Sequence, residues 1–259
     1  MRYFISLSYN GAQYSGWQIQ ENAISIEGTI EKVLTTFFRE PIDIIGAGRT
    51  DTSVNASSFI AHFDSQNEQI TKDLNRTIYK LNAILPKDIY IKNIFPVHPT
   101  AHSRFDATSR TYSYYLHKEK DPFNNTFSWN CKYDLDIELM NKAASYLIGT
   151  KDFSCFEKLH GGNNNSICTI EFAQWEQLPV SELGSPQKGR LKFTIKANRF
   201  LRNMVRAIVG SLIEVGRGKQ KPEWIIELIE SKNRSAAGQS VPGNALFLTD
   251  IEYPYIINE

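Results

Sequence analysis

The stretch Ser25–Asp64 reads SIEGTIEKVLTTFFREPIDIIGAGRTDTSVNASSFIAHFD, and its apolar residues change period twice. Ile26, Ile30, Val33, Leu34 and Phe37 recur at helical spacing. Ser25 stands at the N-cap position with Glu27 in the first turn. Pro41 stops that helix, and Ile42–Ile45 follows as a short strand. Ser58–Asp64 then alternates, with Phe59, Ala61 and Phe63 on one face. Upstream, Tyr3–Tyr9 alternates as another strand, followed by a polar turn containing Gly11 and Gly16. Downstream, Thr71 is placed to cap a second helix that carries Leu74, Ile78, Leu81 and Leu85 and ends at Pro86. Ile89, Ile91 and Ile94-Phe95 make a fourth strand.

The order β-α-β-β-α-β is the ferredoxin-like arrangement, and the second half repeats it with different residues. Thr111–His117 is tyrosine-rich and strand-like. Asp136 caps a helix with Met140, Ala143, Ala144 and Leu147 on one side, ended by Gly149. Ile167–Gln177 and Leu191–Ala197 read as strands joined by a Gly/Ser/Pro-rich loop at 184–189. Leu201, Val205, Ile208, Val209 and Leu212 line a helix ending near Gly216. Pro222–Glu230 is a short extra helix, and Ala245–Tyr253 a last strand. The segment Phe153–Ser166, with Gly161-Gly162-Asn163-Asn164-Asn165, has no period and reads as a surface loop. Periodicity breaks at Pro96–Phe105. The expected architecture is therefore α+β, with ferredoxin-like halves over 1–104 and 105–259. Their sheets join edge to edge into one extended, mainly antiparallel sheet, with helices on one face and a central cleft at the seam, where ligand sites tend to lie.

Composition agrees with a folded chain. Of 259 residues, 41% are hydrophobic and 22% charged, which excludes a mainly disordered protein. No run of about 18 apolar residues is present, so no membrane helix is expected. The N-terminus lacks the apolar block and cleavage site of a secretion signal, so the expected location is cytoplasmic. Cys131, Cys155 and Cys168 contain no C-x-x-C pair and read as reduced thiols. Basic residues number 29 against 28 acidic, a net charge of +1. A nucleic-acid partner would thus need a local concentration of cations. The Asn-x-Ser/Thr triplets at Asn55, Asn75, Asn124, Asn164 and Asn233 carry no meaning without a secretion signal.

Most motif candidates fail. Gly46-Ala47-Gly48 follows a strand, but Asp51 stands where a dinucleotide fingerprint needs its third glycine. Gly218-Lys219 lacks the rest of a phosphate loop. His98 and His102 are separated by Pro99, no glutamate follows His98, and both read as surface histidines rather than metal ligands. There is no Gly-x-Ser-x-Gly elbow.

Three features carry chemistry. Gly46-Ala47-Gly48-Arg49-Thr50-Asp51 links two strands, and its glycines permit left-handed turns that would present Arg49 and Asp51 at the sheet rim. An ordinary turn, with Asp51 bonding backbone amides, explains the same residues. In Arg110-Thr111-Tyr112-Ser113-Tyr114-Tyr115, alternation puts Tyr112 and Tyr114 on one face and Tyr115 on the other. That pattern suits core packing or a ring that stacks on a nucleobase. Arg199, Arg202 and Arg206, spaced three and four apart, would share a helix face, as a solvated surface or as a phosphate-binding stripe.

Taken in order along nearly the whole chain, these blocks resemble the tRNA pseudouridine synthase A (TruA) family. Tyr9-Asn10-Gly11 with Tyr14-Ser15-Gly16-Trp17-Gln18 resembles its N-terminal signature. Gly48-Arg49-Thr50-Asp51 resembles the loop of its catalytic aspartate. Leu81-Asn82-Ala83-Ile84-Leu85-Pro86-Lys87-Asp88-Ile89 matches the leucine-asparagine to proline segment. His102-Ser103-Arg104-Phe105-Asp106-Ala107 is close to its histidine-alanine-arginine-phenylalanine segment. Arg110-Thr111-Tyr112 matches the stretch with the base-stacking tyrosine. Ala197-Asn198-Arg199-Phe200-Leu201, Met204-Val205-Arg206 and Val209-Gly210-Ser211-Leu212 resemble the C-terminal signature. The chain departs at Ser53 and Asn55, where the family has glycine and histidine, and at Cys168, where it commonly has arginine.

The resemblance implies isomerisation of uridine to pseudouridine in the tRNA anticodon stem-loop, at positions 38, 39 and 40. It assigns catalysis to Asp51, Tyr112 and Arg206, with Arg206 as the ion-pair partner that holds the carboxylate charged. It assigns substrate binding to Tyr112, Arg49, Arg199 and Arg202. Arg49 would help to hold the target nucleotide out of the helix. It implies a homodimer, no cofactor, no metal and no membrane. A catalytically silent tRNA-binding paralogue, suggested by Ser53 and Asn55, and a nucleoside hydrolase are the rival readings.

Overall fold

The computed structural model describes residues 1–67, 69–158, 165–179 and 189–255. The expected loops around Gly161–Asn164 and at 184–188 fall outside the described residues. The chain is α+β and divides into two compact units. Met1–Thr108 together with the residues from Leu248 onward form the first, and Ser109–Phe247 the second.

The first unit contains β1 (Arg2–Tyr9), α1 (Ile26–Phe38), β2 (Ile44–Gly46), β3 (Asn55–Asp64), α2 (Gln69–Lys72), α3 (Leu74–Ile84) and β4 (Ile89–Val97). Its strands run β4-β1-β3, with β2 on β3, and every one of these pairings is antiparallel. The last strand of the chain, which enters this unit at Leu248, follows β3 in the order. The residues from Leu248 onward therefore pack with the first unit, whereas the sequence pattern groups them with the second half. Phe4 holds them there: its ring lies 5.5 Å from Tyr253 and 6.3 Å from Tyr255, and the Tyr253 hydroxyl donates to Ser103 O at 2.6 Å.

Local chemistry explains the elements. The Ser25 hydroxyl accepts from Gly28 N at 3.2 Å, so α1 begins where its cap falls. Its buried stripe is Ile26, Ile30, Val33, Leu34 and Phe38, with Phe38 rather than Phe37 turned inward. Asp73, not Thr71, caps α3 by accepting from Arg76 N at 3.0 Å. Tyr3 to Leu7 are all buried, so β1 does not alternate in burial. It is central and covered on both faces. Each such apolar side chain contributes about 1.5–3 kcal/mol.

The second unit contains β5 (Ser109–His117), β6 (Trp129–Asn130), α4 (Ile137–Ser145), β7 (Gly149–Asp152), β8 (Ile167–Gln177), β9 (Leu191–Ala197), α5 (Met204–Gly216) and α6 (Trp224–Ser231). The final strand, β10 (Leu246–Glu252), begins here. The order is β5-β9-β8-β7, antiparallel throughout, with β6 parallel on β5. Asp136 caps α4 through Leu139 N, as its position suggests.

Asparagine side chains pair with one residue on each of two strands, in the manner of a neighbouring strand. Asn82 on α3 donates to Ile91 O and accepts from Ile91 N, both at 2.8 Å. Asn141 on α4 does the same to Trp175 of β8, at 3.0 and 2.7 Å. All three cysteines are unpaired and buried, and burial pushes the Cys155 thiol up to about 12. Among the described residues, no helix is long and apolar enough to cross a membrane.

Candidate active site

Asp51 lies in the turn between β2 and β3, and the segment after β1 builds its position. Trp17 N donates to Thr50 O at 3.2 Å, and Ser53 N to Tyr14 O at 3.2 Å. The Tyr9 hydroxyl and Thr50 Oγ1 are 2.9 Å apart, and Asn55 Oδ1 accepts from Gly11 N at 2.9 Å. Val54 N closes the turn onto Asp51 O at 3.1 Å. The clamp is itself held from behind: Asn10 N donates to Asp88 O at 2.9 Å, and the Tyr14 hydroxyl to Asp88 Oδ1 at 2.7 Å. Burial and the Asp88 charge raise the Tyr14 pKa, so this hydroxyl stays a donor.

Thr50 is buried, Asp51 half-buried and Arg49 exposed. The loop is thus fixed through its backbone and Thr50 while its two charged side chains reach solvent. A carboxylate so held can act as a nucleophile or a base with little reorganisation.

The glycines do not act as the sequence suggests. Neither Gly46 nor Gly48 has positive φ. Gly46 is required by packing, since a Cβ there would fall 2.6 Å from the Trp17 ring. The left-handed residue is Ser53, at φ 64°. Asn55 is buried and works through its amide as a structural tie.

In the second unit, Tyr112 is half-buried, and its ring stands edge-on to Phe200 with centroids 5.2 Å apart. Its face-mate Tyr114 is fully buried, donating to Pro242 O at 2.9 Å. Tyr115 packs edge-on against Phe247 at 5.4 Å. The three arginines do not share a helix face, because α5 starts only at Met204 and Arg199 and Arg202 precede it. Asn203, at φ 65°, breaks the helical path, and its amide donates to Ser240 Oγ at 2.6 Å. Arg206 alone lies on α5. Its Nε donates to Val241 O at 2.7 Å, and Val241 N returns a bond to Arg206 O at 3.2 Å. With Nε committed to the backbone, the guanidinium addresses any anion through its two terminal nitrogens. Cys168 is fully buried, with its thiol pushed up to about 11 by burial, so it offers no surface to a substrate.

The histidines behave separately. His98 Nδ1 lies 2.8 Å from the Thr100 hydroxyl. His102 is half-buried, and its Nδ1 accepts from Arg104 N and Phe105 N. Pattern reading missed the clamp residues Tyr9, Tyr14, Thr50 and Asp88. Their contacts link segments up to 74 positions apart, and nothing in local periodicity reports such pairing.

Residues 143–254 match the model of a family described as tRNA pseudouridine synthase. A protein of Bacteroides fragilis named tRNA pseudouridine synthase A is 48% identical over 258 residues, covering 100% of this chain and 98% of its own. Its namesake in Parabacteroides distasonis is 49% identical, covering 98% and 96%. That of Fervidobacterium nodosum is 40% identical, covering 95% and 97%. With relatives at this identity along its whole length, the chain belongs to the tRNA pseudouridine synthase A family and is an isomerase that modifies tRNA.

Proposed function

We propose that this isomerase converts uridine to pseudouridine at positions 38, 39 and 40 of the tRNA anticodon stem-loop, acting on a nucleotide turned out of the helix. The reading is carried by Asp51: a half-buried carboxylate on a loop clamped at Thr50 and Ser53, in a chain whose full-length relatives bear the synthase name. The N1–C1′ bond of the nucleotide breaks, the ring turns, and a C5–C1′ bond forms. N1 gains a proton and C5 loses one, so no atom or electron is gained overall and no cofactor or metal is required.

In this reading Asp51 attacks or deprotonates the nucleotide, and Arg206 pairs with it through the terminal guanidinium nitrogens. Pairing keeps the carboxylate charged. Tyr112 stacks on the everted base, which offsets the few kcal/mol of unstacking. Arg49, Arg199 and Arg202 hold phosphates. The two halves, 1–104 and 105–259, are read as ferredoxin-like, with the RNA in a central cleft. The working form is a cytoplasmic homodimer.

The test is tritium release from uracil-C5-labelled tRNA, with chemical mapping of the product. Asp51→Asn should fold and bind tRNA yet release no tritium, and turnover at the wild-type rate would overturn the assignment. Free uracil among the products would favour a nucleoside hydrolase. Tight tRNA binding without pseudouridine would favour a silent paralogue.

A further inference from the structure

The segment His102–Asp106 resembles part of the family pattern, yet the chemistry above gives it no role. Phe105 is 74% exposed, among the largest apolar surfaces the chain offers to water. A lone exposed phenylalanine needs no explanation. This one is different because the loop beneath it is locked. His102 Nδ1 accepts from both Arg104 N at 3.1 Å and Phe105 N at 3.3 Å. Asp106 N donates to His102 O at 3.0 Å, and Asp106 Oδ2 accepts from His102 N at 2.7 Å. The Tyr255 hydroxyl adds a further bond to Asp106 Oδ2 at 3.0 Å. Burial lowers the His102 pKa, which keeps the imidazole neutral as its double acceptor role requires.

The ring is braced as well. The His102 imidazole sits 4.2 Å from the Phe105 centroid, and the Arg104 guanidinium carbon lies over the ring at 5.7 Å. A rigid, mostly exposed aromatic ring with a cation 5.7 Å from its centroid has the two parts that an unpaired nucleotide requires. The ring is a π face for the base, and the guanidinium is a positive charge for the phosphate. Because His102 and Asp106 already fix the loop, little ordering entropy opposes docking.

We propose that Phe105, braced by His102 and flanked by Arg104, is a stacking platform for an unpaired base of the RNA substrate, with Arg104 on the adjoining phosphate. This rests on the tRNA reading above and adds a contact outside the Asp51 loop. The occupant is a single-stranded nucleotide, because a paired base in an A-form helix does not offer its face to a protein ring.

The experiment measures equilibrium binding of an unmodified tRNA transcript, and fluorescence of a Phe105→Trp variant. Phe105→Ala should weaken tRNA binding by about tenfold or more, with thermal unfolding unchanged. Arg104→Gln should lower the slope of log affinity against log salt by about one. Oligo(U) should quench the Phe105→Trp variant beyond the wild-type signal, and an RNA duplex should not. Unchanged tRNA affinity in Phe105→Ala, equal quenching by duplex, or a loss confined to self-association would each overturn the platform. Failure of the wild-type protein to bind tRNA would overturn the tRNA reading as well.

Discussion

Gly16 and Thr50 approach so closely that a Cβ on the glycine would fall 2.3 Å from the threonine carbonyl oxygen. Gly16 also has φ +95°, which a side chain disfavours. Contact and dihedral together make this glycine the template against which the Asp51 loop is set. Gly16→Ala should therefore shift Thr50 and Asp51. We expect pseudouridine formation to fall by roughly 100-fold, the scale associated with about 1 Å of misplacement. Stability should drop by about 1–3 kcal/mol. Tritium release and urea unfolding check the two effects separately.

Ser53 occupies a left-handed conformation at φ 64° without being glycine. The strain costs about 1–2 kcal/mol, and a glycine loses back about 0.5–1 kcal/mol in chain entropy. Ser53→Gly is thus expected to stabilise by about 0.5 kcal/mol, while Ser53→Val should destabilise. Urea midpoints would decide, and a destabilised Ser53→Gly would show that the hydroxyl outweighs the strain.

Arg206 is positioned by its Nε bond to Val241 O. Arg206→Lys retains the charge but loses that bond and the planar fork. On the proposed pairing with Asp51, turnover should fall by about 100-fold or more while tRNA affinity changes little. Single-turnover kinetics at saturating tRNA separate the two. An equal loss in affinity would instead mark Arg206 as a phosphate contact.

His62 is 2% exposed, lies 2.8 Å through Nδ1 from the Ser103 hydroxyl, and has its pKa pushed down to about 4 by burial and by the nearby Arg2 and His102 charges. Unfolded, it titrates near ~6.5. Between those values the unfolded chain binds the extra proton, so stability is lost as pH falls from about 6.5 towards 4. The loss is on the order of 3 kcal/mol at most. His102 and His117, also shifted down by burial, act in the same direction. His62→Gln should flatten the pH dependence of the urea midpoint between pH 7 and 4.5. An unchanged slope would remove His62 as its cause.

Asn82→Ala would leave both Ile91 backbone groups without their side-chain partner. The expected destabilisation is about 1–3 kcal/mol. The variant should also show more self-association by size-exclusion chromatography, since it uncovers those two groups. A monodisperse variant of wild-type stability would mean that water replaces the amide fully.

The residues that made the fold readable are those whose influence is local. Ser25 and Asp136 announce helix starts because a side-chain oxygen satisfies an amide within one turn, and β8 and β9 match their expected limits. Where the cue is absent, the reading slips. α5 has no side-chain cap bond, and Leu201 is buried although it precedes the helix, so the apolar period runs on through Asn203 and draws Arg199 and Arg202 onto a face that does not form. The loop bearing Asp51 was legible as a candidate. Its rigidity was not, because Tyr14 and Asp88 meet only through the fold.

A net charge of +1 gives copies of this chain almost no mutual repulsion at neutral pH. The amides of Asn82 and Asn141 serve as one-residue surrogate strands, exhausting the pairing valence of Ile91 and Trp175. An incoming strand would have to displace an amide at each of those two positions before it could add to the sheet there.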